Sequence, residues 1–191
     1  LWNDFHHPKL NLATLSILLS PSNPDEVDQE IEALLPDDAE IAATRENVDA
    51  AVEAFLTRCE QNPDNMAIVY VAGHGVQTSM HGTILLLEDF ATSEKRSSLW
   101  GAIDIGSLRG HMNHELMPHC QMWLVDTCRE PLAVQSDFWQ MTGALEYDQR
   151  VKGSVLSPII LASSPGERAY ARIGEESLFR QCLRTALEQN Q

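Results

Sequence analysis

The chain is short of positive charge. Its 191 residues carry 13 Lys and Arg against 28 Asp and Glu, a formal net charge of −15. A field of that sign repels phosphate backbones and anionic lipid surfaces, which argues against nucleic acid and membrane as partners and favours basic peptides. Long apolar runs are missing too: the longest strand-like stretches reach about half the length needed to span a bilayer. Cysteine is sparse and scattered. Cys59, Cys120, Cys128 and Cys182 form no CxxC pair, so no disulfide scaffold is indicated and a reducing cytoplasm is the expected compartment. No GxGxxG and no Walker lysine follow any apolar run, which leaves a nucleotide site without support. Internal repeats and low-complexity tracts are absent. No signal peptide is visible, and because the chain opens at Leu1 rather than at Met it is expected to belong to a longer protein.

What is present suits one globular domain over residues 1–191, with 43% apolar and 21% charged residues. Short apolar runs alternate with amphipathic ones. "LATLSILL" (12–19) reads as a buried strand, and Val27, Ile31, Leu34 and Leu35 stand at helical spacing. "AEIAAT" reads as a short strand. From Thr44, an expected N-cap, Val48, Val52, Phe55, Leu56 and Cys59 share a helix face. Met66–Val71, "GTILLLED", Gln121–Val125 and "VLSPIILASS" read as further strands, and Ser177–Glu188 as a last helix. The segment 130–155 has weak periodicity and reads as a flexible linker. Strands alternating with helices predict an α/β fold: a mostly parallel sheet, with helices on both faces and ligands beyond the carboxyl ends of the strands.

Two apolar runs end in chemistry at those carboxyl ends. "VYVAGHG" presents His74 between glycines, and "WLVDTC" presents Cys128 two residues after Asp126. A cysteine nucleophile needs a nearby imidazole to take and return its proton, and backbone N–H donors for the oxyanion. Gly75 leaves its backbone free to turn such a donor inward. Asp126 and Cys128, at i and i+2 of an extended segment, are expected to face one cleft. A desolvated carboxylate there calls for a cationic partner, such as a substrate Arg or Lys; the alternative is an Asp that caps its own loop.

These stretches, together with "ATRENVDAAVEAFL", "LLLEDF" and "IILASSPGERAYA", resemble the caspase-like cysteine peptidases, above all the bacterial caspase and metacaspase branch. His74 precedes Cys128 by about 50 residues, as in the caspase signature. The resemblance implies a caspase-like three-layer sandwich and a cysteine endopeptidase with His74 as base and acid and Cys128 as nucleophile. It also implies an oxyanion hole from the N–H groups of Gly75 and Cys128, and, as in metacaspases, cleavage after basic residues through Asp126. Asp25 and Glu167 are candidates for a second acid, and Ser163 and Ser164 for the groove wall. "DTCRE" differs from Gln-Ala-Cys-Arg-Gly of animal caspases and from Asp-x-Cys-His-x-Gly of metacaspases. The resemblance further implies a regulated bacterial effector of stress or antiviral defence, switched on by a sensor or activator. Caspase-like enzymes often cut between their halves, which makes Arg150–Val151 and Lys152–Gly153 candidate self-cleavage bonds. The competing reading is an inactive caspase-like binding module.

Metal chemistry has weaker footing. His111, His114, His119 and Cys120 fit no common zinc spacing, and His81 reads as a solvated loop residue. Some metacaspases bind calcium, and Glu146 and Asp148 are acids of the right kind, but no calcium-loop pattern accompanies them. No cofactor is expected.

Overall fold

The two apolar runs that end in Gly-His and Thr-Cys are neighbouring strands. In the computed structural model, which describes residues 12–20, 29, 41–77, 82–92, 99–131, 144–148, 155–170 and 176–189, β1 (Met66–Gly73) and β5 (Cys120–Thr127) pair in parallel from Met66↔Cys120 to Gly73↔Thr127. β7 (Ile159–Leu161) pairs in parallel along the far side of β5, which gives a sheet of order β1-β5-β7. β-Branched and aromatic side chains such as Ile68, Val69, Tyr70, Val71, Trp123 and Val125 suit these strands; Trp123 and Val125 are buried, whereas Ile68 and Tyr70 stay partly open to solvent.

Alternation along each strand sorts the side chains. Ala67, Val69 and Val71 of β1 and Trp123 and Val125 of β5 enter one core. It is closed by Val48, Val52, Phe55, Leu56 and Cys59 of α1 (Arg45–Cys59) and by Ile105 and Leu108 of α2 (Ile105–His111). Thr44 caps α1, its hydroxyl accepting from Asn47 N–H at 3.4 Å. On the opposite face lie Ile68, Tyr70, Leu124, Asp126 and Ile160. There α3 (Leu178–Glu188) helps enclose a cavity of about 440 Å³ with Leu124, Asp126, Ile160, Tyr170, Phe179 and Leu183. Helices therefore flank both faces, in a three-layer α/β arrangement.

A second, smaller sheet grows from the carboxyl end of β1. β2 (Gly75–Gln77) runs antiparallel to β3 (Thr83–Leu86), β3 runs antiparallel to β4 (Ala102–Asp104), and β2 pairs in parallel with β6 (Glu130–Pro131). The first sheet thus anchors the chain on the amino-terminal side of His74 and Cys128, and the second anchors it on the carboxyl-terminal side. Gln121, 1% exposed, braces the start of β5: its amide donates to the carbonyls of Met112 and Pro118 and accepts from Trp123 and Ser157.

Two expectations change. Leu12–Leu19 is not a buried strand. Leu12 and Leu15 are each 44% exposed, and among the described residues the segment makes a single parallel bridge, Leu19↔Ala42. An apolar run becomes a strand only where a partner completes its ladder, and here one residue finds one. The segment 130–155 is not a linker throughout. Leu145 is buried, bridges Ile103, and exchanges backbone hydrogen bonds with Ala102 and Asp104. A single-residue bridge carries no periodicity to read.

Candidate active site

β1 leaves its ladder at Gly73, whose φ of +147° an L side chain rarely adopts, and the chain then crosses from one sheet to the other through His74. Gly73 is in register with Thr127 at the ends of two paired strands, and His74 and Cys128 are the residues that follow each strand. The imidazole is exposed and the thiol partly buried. Both stand at the carboxyl ends of parallel strands, where α/β folds bind ligands.

Gly75 is pressed against the same point. A Cβ there would lie 2.7 Å from the Cys128 carbonyl oxygen and 2.7 Å from Thr127 Cβ. Its N–H direction comes from the ladder. Leu86 N–H donates to the His74 carbonyl at 2.8 Å, so Gly75 and Leu85 form the next, non-hydrogen-bonded pair. The Gly75 N–H is thus turned away from β3, toward the side on which β2 pairs with β6.

The segment after β7 frames the thiol from the other side. Arg129 N–H donates to the Glu167 carbonyl at 2.9 Å, and Gly166 N–H meets the Arg129 carbonyl at 3.0 Å and Gln77 Oε1 at 2.8 Å. These bonds bring the Ala169 carbonyl to 4.0 Å from Cys128 Sγ. Tyr170, the next residue, lines the cavity beneath α3. Ser163 is buried, and its hydroxyl donates to the Thr127 carbonyl at 2.9 Å; it braces β5 rather than lining an open groove. Ser164 and Glu167 are exposed.

Asp126 is 6% exposed and lines that cavity. Its Oδ2 accepts from the Tyr70 hydroxyl at 3.4 Å and from the Ser177 hydroxyl. Burial, and after it the Asp126 charge, push the Tyr70 phenol above its ordinary value, so Tyr70 stays protonated and donates. Sequence reasoning missed Tyr70, Ser177, Ala169 and Tyr170. Ser177 was readable as the start of the last helix, but nothing local tied it to Asp126.

Asp25, His81, Arg150 and Lys152 are outside the described residues. His111 contacts the Asp148 carbonyl at 2.7 Å and meets the rings of His114 and Tyr147 edge-on. His119 N–H donates to the Pro63 carbonyl, and Cys120 opens β5. Among the described residues no three His, Cys, Asp or Glu side chains converge as a metal site, and no helix is long and apolar enough to cross a membrane.

No curated protein matches the chain. The family model of the caspase domain matches residues 30–191, a span that contains both sheets and every side chain described around Cys128. That coverage is most of the chain, and the α/β order of elements agrees with it. The chain belongs to the caspase-domain family of cysteine peptidases.

Proposed function

We propose that this peptidase is an endopeptidase working through His74 and Cys128 and cutting after Arg or Lys. The observation that supports the proposal is the register Gly73↔Thr127, after which His74 and Cys128 are the next residues of the two neighbouring chain segments. In the reaction His74 takes the thiol proton, and Cys128 Sγ attacks the scissile carbonyl carbon. The tetrahedral oxyanion accepts from the N–H groups of Gly75 and Cys128. His74 then gives its proton to the departing amine, which leaves an acyl-enzyme. A water molecule, deprotonated by His74, attacks the acyl carbon, and the thiol is regenerated as the acid product departs.

The specificity assignment is supported by Asp126. It is a buried carboxylate two residues before the nucleophile, beside a cavity with otherwise largely apolar walls. The aliphatic stem of a substrate Arg or Lys suits those walls, and its charge suits the carboxylate. The chain's own Arg150 and Lys152 are then candidate self-cleavage sites. The resemblance to bacterial caspase-like peptidases supports a regulated role in stress or antiviral defence under an activator, and four free cysteines suit a reducing compartment.

Fluorogenic peptides that differ only at the first subsite, with mass spectrometry of the protein itself, test this. Cys128→Ala and His74→Ala are each expected to abolish turnover while the fold persists. Asp126→Asn is expected to lower kcat/KM for basic peptides by on the order of 2–5 kcal/mol, the cost of unpairing a desolvated charge. Retained turnover in Cys128→Ala, or a wild-type profile peaking at Asp or at an apolar residue, would overturn the corresponding half of the proposal. Fragments ending at Arg150 or Lys152 in wild type but not in Cys128→Ala would establish self-cleavage.

A further inference from the structure

Among the described residues, both hydrogen bonds to Asp126 fall on the same oxygen. Tyr70 and Ser177 donate to Oδ2, and among the described residues nothing donates to Oδ1 and no Lys, Arg or His side chain pairs with the carboxylate. A carboxylate oxygen offers two lone pairs, so Oδ2 is filled and Oδ1 remains for a ligand in the cavity. The two donors are held from different elements. Ser177 is the N-cap of α3, where its Oγ also accepts from Arg180 N–H at 3.1 Å. Tyr70 stands on β1, whose register beside β5 is fixed by eight paired positions.

We infer that Tyr70 and Ser177 set the choice between Arg and Lys at the first subsite, by reducing Asp126 to a one-point acceptor. This rests on Asp126 being the acid of that subsite. A guanidinium draws its advantage over an ammonium from a planar fork that engages both carboxylate oxygens. With Oδ2 already saturated, the fork has one oxygen to meet. A Lys ammonium needs only one, so the wild-type enzyme treats Arg and Lys nearly alike. Removing either hydroxyl frees a lone pair on Oδ2 and restores the advantage of the fork.

The test is the ratio of kcat/KM for two peptides identical except for Arg or Lys at the first subsite. In wild type the ratio is expected to lie near one. Tyr70→Phe, which leaves the α3 cap untouched, is expected to raise it about fivefold in favour of Arg, the worth of one hydrogen bond. Ser177→Ala should move it in the same direction, and Ser177→Thr, which keeps the hydroxyl and can still cap, should return it toward the wild-type value. Loosening of the helix or sheet lowers both rates together and leaves the ratio unmoved, so the ratio separates specificity from damage. If Ser177→Ala does not fold, Tyr70→Phe alone decides. Turnover of neither peptide by wild type would remove the basic-subsite reading and this inference with it. Turnover of both, with Tyr70→Phe leaving the ratio unchanged, would overturn the role of the hydroxyls and leave that reading standing.

Discussion

At the scale of single residues, the tightest constraint falls on Gly75. A methyl group there would meet the Cys128 carbonyl and the buried Thr127 at 2.7 Å each, and neither is the free end of a flexible side chain. Gly75→Ala must therefore push β2 away from the end of β5. Overpacking of this kind typically costs about 1–3 kcal/mol of stability. The larger effect is expected on catalysis, because the same shift withdraws the proposed Gly75 oxyanion donor. Loss of one such donor lowers kcat by about 100-fold or more. Denaturant unfolding and steady-state kinetics on Gly75→Ala would measure both, and a wild-type kcat would show that this N–H is not used. His74 and Cys128 could be read from sequence because each ends an apolar run in a polar group. Tyr70 and Ser177 could not, since their meeting at Asp126 depends on where α3 lies over the sheet.

Among the elements, those with internal periodicity were legible and those made by pairing alone were not. α1 carries its cap at Thr44 and an apolar face from Val48 to Cys59, all within one window. β1 and β5 announced themselves as apolar runs, yet both continue beyond them, to Gly73 and Thr127, because the ladder persists under polar side chains. β2, β4 and β6 are at most three residues long and exist through distant partners, so no local pattern marks them. The packing of α1 has a consequence in alkali. Burial pushes the Cys59 thiol from an ordinary value of 9.0 up to about 11. Between those values the unfolded chain has lost a proton that the folded one keeps, so stability is complete below the lower value and declines as pH rises toward the upper. Unfolding by denaturant under reducing conditions should show this decline in wild type and a shallower one in Cys59→Ala. Equal slopes would remove Cys59 as a cause.

For the whole molecule the dominant quantity is charge. A net charge of −15 on 191 residues surrounds the site with a field that draws cationic substrates in and slows anionic ones. This long-range attraction is distinct from the proposed contact at Asp126, a buried side chain that salt screens little. Salt shortens the reach of the field from about 10 Å at 0.1 M to about 3 Å at 1 M. Two peptides with the same basic first subsite separate the two contributions, one neutral elsewhere and one with Lys at positions that extend beyond the cleft. Raising the salt should lower kcat/KM several-fold for the Lys-rich peptide and much less for the other, with kcat nearly constant for both, because encounter rather than chemistry is screened. Asp126→Asn should depress both peptides at every salt concentration without changing the slope. Parallel salt slopes for the two peptides would mean that the acidic surface takes no part in bringing substrate to Cys128.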